Sequence, residues 1–330
     1  MSHISPLQNR SASRTCSLPF LPARFGHHHR PARSRVAIVP APKYSLALVE
    51  TLRDALKLFN LDLRGKSVLL KPNLVDHVED IEINTHPLVI GAAIECLRRL
   101  GAAHLTVAEG PGHQRDTQLL LTETGLAAVL KDLGAPFVDL NRDDLVKVRL
   151  KTNCSGLREL WFPKTAMAAD FIVSMPKVKT HHWSGVTLSM KNMFGLVPGS
   201  KYGWPKNLLH WRGINRCVID ITATVPVNFV VADAIVCMEG NGPLAGTPRR
   251  VGYLILADDA VAADATCARM MGLRPEAVPH VRTGGRFLGN MDISCIEQLA
   301  CPLEDPAVPF AVVPGFERLR TAIHSGRNYT

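Results

Sequence analysis

The chain has 330 residues, 46% of them hydrophobic and 20% charged, which is the composition of a folded domain large enough to bury a substantial core. No apolar run approaches the roughly 20 residues of a membrane helix, so no membrane partner is expected. The net charge is +9, but the acid-free tail 1–35 holds Arg10, Arg14, Arg24, Arg30, Arg33 and Arg35, leaving only +3 for the body. A nucleic-acid-coating surface is therefore not expected.

That tail lacks the continuous apolar core of a secretory signal. Rich in Arg and Ser, it is similar in composition to an organelle transit segment, but it reads foremost as a disordered basic extension. From residue 36 short β-rich runs alternate with helical ones. VAIVP precedes the amphipathic SLALVETLRDALKLFN, followed by SVLLKPN, PLVIGAAIECLRRLG, HLTVAEG, TQLLLTETGLAAVLKDLG and PFVDLN. This order predicts βαβ units and an α/β fold, with a mostly parallel sheet and helices on both faces. Gly101 and Gly134 stand where helix C-termini need them. Residues 145–162 read as a smaller antiparallel ribbon; strand patterns return at DFIVSMP, NFVVADAIVCM and GYLILADD, and a helix follows at AVAADATCARMMGL. A single domain over 36–300 with a peripheral segment over 301–330 is the expected organisation.

The polar residues of these runs collect at the strand ends. SVLL ends in Lys71-Pro72-Asn73, HLTVA in Glu109-Gly110, and VVADAIVCM passes Asp233 and ends in Glu239. Ligands of open parallel sheets bind beyond the carboxyl ends of the strands, where loops converge. Between Asp170 and Asp220 there is no acidic residue, yet Lys177, Lys179, Lys191, Lys201, Lys206, Arg212 and Arg216 all lie there. A surface kept only for solubility mixes its signs. Lys71, Lys177, Lys179 and Lys191 are therefore expected to bind a small anion, with Asn73 and Asn192 orienting it by hydrogen bonds.

His181 and His182 point to opposite faces if the segment is extended, and His181 is the expected acid–base group. A divalent metal is a further option, with Glu109, Asp233 and Glu239 as its ligands and Asp264 in reserve. Trp183, Trp204 and Trp211 would close over a bound molecule as a lid, or else pack in the core. None of the eight cysteines forms a C-x-x-C pair, so an iron–sulfur cluster is not expected, and a reducing, cytoplasmic compartment fits. No dinucleotide fingerprint, phosphate-binding loop or nucleophile elbow is present in the sequence.

The motifs KPN at 71–73, THP at 85–87, EGPG at 109–112, DLN at 139–141, SMPKVKTHHWSGVTLSMKNMFG, YGWPKN and MEGNGPLAGTP occur in this order. Together they strongly resemble the domain-of-unknown-function family 362, over about residues 36–272. The resemblance implies an α/β domain and supports the choice of site residues; it supplies no reaction. Some members of that family carry an appended ferredoxin-like iron–sulfur domain, whose cysteine run has no counterpart here. The expected function is that of a soluble enzyme acting on a small anionic metabolite. The alternative is a non-catalytic redox or assembly factor working with a protein partner, or a cofactor carrier.

Overall fold

The computed structural model describes residues 30–321 except 79, 80, 82, 113–115, 205 and 305. The strands are β1 (Ser34–Pro40), β2 (Ser67–Pro72), β3 (His104–Glu109), β4 (Phe137–Asp139), β5 (Leu145–Arg149) and β6 (Glu159–Pro163). They continue with β7 (Phe171–Met175), β8 (Lys177–His181), β9 (Gly185–Thr187), β10 (Phe229–Asn241), β11 (Ala245–Ala257) and β12 (Ile296–Ala300). Ten of these form one sheet in the order β12-β1-β11-β10-β7-β2-β3-β4, with β8 pairing β10 and β9. Only β11 and β9 run against their neighbours, so the sheet is mostly parallel. β5 and β6 make the separate antiparallel ribbon.

Period-two alternation distributes the core over both faces. Val36, Ile38 and Leu69 join one cluster, which includes the helices Ile214–Thr224 and Ala260–Met270. Ala37, Val39, Val68 and Leu70 join the other, beneath the helices Leu48–Leu56 and Pro87–Arg99. Cys96, Cys217, Cys237 and Cys267 are buried free thiols. No helix among the described residues is long and apolar enough to cross a membrane.

Three details depart from the sequence reading. β1 does not sit beside β2; β11, β10 and β7 lie between them, because the long β10–β11 hairpin takes the place next to β1. Residues 30–35, assigned above to the tail, are docked: Ser34 opens β1 and its buried hydroxyl donates to Asp259 Oδ2 at 2.6 Å. Arg30 Nε reaches Asn290 Oδ1. Residues 1–29 lie outside the described part. At the other end Phe310 and Leu319 are buried in the core, so the 301–321 stretch, expected to be peripheral, packs into the domain.

Candidate functional site

The lysines at 177 and 179 do not hang from a strand end. A new strand, β8, starts at Lys177 and pairs with β10, with a register shift between the Asp233 and Met238 pairings. All five of its residues are buried. Beside it, at the carboxyl ends of β2, β3 and β10, lies a cavity of about 240 Å3. Asn73, Glu109, Lys179, His181, Lys191 and Asn192 line it, together with His182, Thr187, Lys206 and His210. His182 enters as well as His181 because β8 ends at His181 and the chain turns there, so strict alternation no longer applies.

Lys71 stands behind this cavity. Its ammonium gives its three hydrogen bonds to Glu109 Oε2 at 2.6 Å, Asn192 Oδ1 at 3.1 Å and Pro72 O at 3.1 Å. Glu109 also accepts from Gly110 N at 2.8 Å and Leu74 N at 3.2 Å. Asn192 Nδ2 donates to Lys71 O at 2.9 Å and Ser174 Oγ at 3.1 Å. This network is dry, with Lys71 0% and Glu109 2% exposed. Burial lowers the Lys71 pKa, and Glu109 partly restores it.

The proposed metal ligands are not assembled. Glu109 is taken by Lys71; Asp233 accepts from Lys177 Nζ at 3.0 Å and from Tyr44 Oη at 3.0 Å; Glu239 pairs with Arg249 at 2.8 Å. Asp264 caps the turn Ser189–Asn192, accepting from Ser189 N at 2.6 Å and Met190 N at 3.0 Å. Among the described residues no group of three His, Cys, Asp or Glu is placed to hold a metal ion. Each acid meets a cation or backbone N–H groups because strand order, invisible in the sequence, sets its neighbour. Lys177, engaged with Asp233 and Tyr44, likewise lies outside the cavity lining.

The remaining cations face the cavity with no free carboxylate. Lys191 Nζ lies 4.6 Å from the Phe194 ring centre and has no hydrogen-bond partner among the described residues. Burial, and then Lys71, lower its pKa to about 8. Lys206 Nζ donates to Phe194 O at 3.1 Å and Gly110 O at 3.4 Å; burial lowers its pKa to about 7. Lys179 donates to Ile83 O at 2.7 Å, and burial with the fields of Lys177 and Lys191 holds its pKa far below the usual lysine value. Asn73 Oδ1 and Thr187 Oγ1, both buried and in cavity-lining residues, have no hydrogen-bond partner among the described residues. Groups of this kind are normally satisfied, so a molecule in the cavity would complete them.

His181 Nδ1 accepts from Trp183 N at 3.0 Å and Ser184 N at 3.3 Å. A ring nitrogen that accepts carries no proton, so the neutral imidazole is protonated at Nε2. Burial, then Lys191, depress its pKa strongly. An imidazole in this state has an Nε2–H to donate and its Nδ1 lone pair already engaged. Of the three tryptophans only Trp183 lines the cavity, edge-on to His210 at 5.1 Å.

A family model described as "Domain of unknown function (DUF362)" matches residues 68–269. The chain belongs to this family. A thylakoid-associated protein of Synechocystis sp. is 28% identical to this DUF362 chain over 246 residues, 73% of each sequence. Among solved structures, the lactate racemase apoprotein of Thermoanaerobacterium thermosaccharolyticum aligns with a TM-score of 0.42 and 14% identity. That alignment covers 64% of this chain and 52% of the other. A protein from Thermotoga maritima aligns with a TM-score of 0.38 and 14% identity, over 66% and 56%. The DUF362 chain thus spans about half the length of these solved structures.

Sequence reasoning did not single out Lys206, His210 and Thr187 as site residues. Lys206 was visible as one more lysine of the acid-free run, in YGWPKN, but nothing local marked it as buried. Its left-handed backbone, φ 73° at a non-glycine residue, is a property of the folded loop alone.

Proposed function

We propose that the protein is an enzyme acting on a small anionic metabolite held in this cavity at the carboxyl edge of the sheet. The observation that carries this reading is Lys191: a half-buried amine that lines the cavity against Phe194, with no hydrogen-bond partner among the described residues and no carboxylate left for it. An anion there would pair with the Lys191 ammonium, and Asn73 and Thr187 would supply polar contacts that fix its orientation. His181 Nε2–H would donate to a second oxygen of the ligand. The reading needs no metal.

A second reading is a non-catalytic factor that acts with a protein partner; the thylakoid association of the Synechocystis relative is compatible with it. The test is a thermal-shift panel of phosphate, citrate and pyruvate at moderate salt, on the parent and on Lys191→Met. Ligand at a hundredfold excess over its Kd should stabilise the parent by about 2.7 kcal/mol. Lys191→Met keeps the apolar stem and should lose most of that gain. If no anion stabilises the parent, or the variant responds equally, the anion-site reading fails and the partner-factor reading takes its place.

A further inference from the structure

Resting on the anion-site reading, we infer that the anionic group this cavity holds is a phosphoryl dianion, gripped jointly by Lys179, Lys191 and Lys206. Charge comes first. Among the described residues that line the cavity Glu109 is the only acid, and both of its oxygens are occupied, by Lys71, Leu74 N and Gly110 N. The three lysines of the lining thus have no carboxylate to answer them, and Lys179 and Lys206 are shut off from bulk water. A singly charged ligand would leave two ammonium groups uncompensated in this space, whereas a dianion leaves one.

Hydrogen-bond counting points the same way. An ammonium has three N–H donors. Lys179 gives two to Ile83 O at 2.7 Å and Pro243 O at 3.5 Å, and Lys206 gives two to Phe194 O at 3.1 Å and Gly110 O at 3.4 Å. Each keeps one for a group in the cavity. Lys191 has no hydrogen-bond partner among the described residues, and its Nζ and that of Lys206 lie 4.6 and 5.6 Å from the centre of the same Phe194 ring. Two neutral donors complete the set: the Nε2–H of His181, whose Nδ1 is taken by Trp183 N and Ser184 N, and the orphaned hydroxyl of Thr187. These groups come from β8, β9, the turn Ser189–Asn192 and the loop before Asn207. Donors on separate segments suit the three oxygens of a tetrahedral phosphoryl group. A carboxylate offers two oxygens in one plane, with about four acceptor sites.

One lining atom does not fit the dianion itself. Asn73 Oδ1 is a buried acceptor without a partner among the described residues, and a fully ionised phosphoryl group has no proton to give it. It is left for a hydroxyl on the rest of the molecule. The ligand class is therefore a short hydroxylated phosphate monoester, a size that the cavity of about 240 Å3 admits.

The test is titration calorimetry on the full chain at pH 7.5 and fixed ionic strength. Glycerol 3-phosphate is compared with glycolate, a hydroxylated monoanion, and with malonate, a dianion of two carboxylates. At this pH a phosphate monoester, with a second pKa of about 6, is doubly ionised. Glycerol 3-phosphate should bind at least about tenfold more tightly than either. Lys179→Met and Lys206→Met should each weaken it about tenfold while changing glycolate affinity less than about threefold, because Lys191 alone can serve a monoanion. If a variant misfolds, the ranking on the parent still decides. Equal affinity for glycerol 3-phosphate and glycolate overturns the dianion and leaves the anion-site reading intact. Malonate binding as tightly as glycerol 3-phosphate overturns the phosphoryl group, and an affinity that neither folded variant lowers overturns the three-lysine grip. If no anion binds the parent, the anion-site reading falls and this inference with it.

Discussion

Glu109→Gln tests whether the carboxylate at the end of β3 is a structural clamp or a ligand-binding group. Both of its oxygens receive donors: Oε1 from Gly110 N, and Oε2 from Lys71 Nζ and Leu74 N. The amide of a glutamine must therefore set its own N–H groups against one of these donors, leaving at least one unpaired, at about 1–3 kcal/mol. Lys71, 0% exposed, also loses its counter-charge, a change that typically costs about 3–5 kcal/mol. There is a ceiling to that second cost, because Lys71 can release its proton. At pH 7 deprotonating a lysine of ordinary pKa ~10.4 costs about 4.6 kcal/mol, and each further pH unit removes about 1.4 kcal/mol of it. The variant should thus be destabilised by roughly 3–5 kcal/mol at pH 7 and by clearly less at pH 9. Urea unfolding of parent and variant at the two pH values measures both numbers. A loss under about 1 kcal/mol, or one that does not shrink with pH, would refute the clamp.

Gly195→Ala should destabilise the same network without touching its charges, because an added methyl would lie 2.7 Å from Lys71 Nζ and closer still to Glu109 Oε1. Neither partner can swing away from its buried pairing, so a loss of about 1–3 kcal/mol in urea unfolding is expected, and a neutral result would mean the network is slack. The ligand-free protein should also become more stable from pH 7.5 to 8.5. Lys206, Lys191 and Lys179 have lowered folded pKa values, near 7, near 8 and well below normal, whereas the unfolded chain keeps those protons to about pH 10. The unfolded state then binds more protons and stability rises with pH. Asp264, raised to about 8 by burial, opposes this at the lower end of the window, and the thiols of Cys96, Cys217, Cys237 and Cys267, all raised by burial, oppose it increasingly toward the upper end, where unfolded thiols begin to ionise. Three amines against one carboxyl and four partly titrating thiols leave a gain on the order of 1 kcal/mol, and a urea midpoint that falls over this interval would contradict the buried-amine picture.

Much of this architecture could be read from residue order. The runs SVLLKPN and HLTVAEG place Lys71 and Glu109 at strand ends, and parallel strands put such ends on one edge of the sheet. Within 177–181, Lys179 and His181 line the cavity, whereas Lys177 does not. What alternation cannot supply is the neighbour across the sheet. Lys177 meets Asp233 because β8 adds to β10 at the position where the register shifts, and Lys71 meets Glu109 because β2 and β3 are adjacent. Both pairings depend on strand order, to which periodicity is blind. The same blindness turned three separately neutralised acids into one imagined metal site. Lys206 was hidden for a different reason: burial of a lysine in a short loop leaves no hydrophobic pattern behind it.

The charge of the cavity is conditional rather than fixed, and this reconciles its composition with a stable fold. Three buried amines, Lys71, Lys179 and Lys206, and the half-buried Lys191 lie around one carboxylate, and four charged ammonium groups in so little space would repel one another. The pairing resolves this unevenly. Lys71 has three acceptors, the Glu109 carboxylate among them, whereas Lys179 and Lys206 have only backbone carbonyls, which a neutral amine satisfies equally well. Lys191 has no hydrogen-bond partner among the described residues, only the face of Phe194. An incoming anion therefore has most effect on Lys191, where its charge supplies what the fold does not. Lys206 is held by two backbone carbonyls and lines the same cavity. The amines of the acid-free run thus differ in which hydrogen-bond acceptors the folded chain leaves within reach, and Lys191, left with none among the described residues, is the one an anion would pair with most directly.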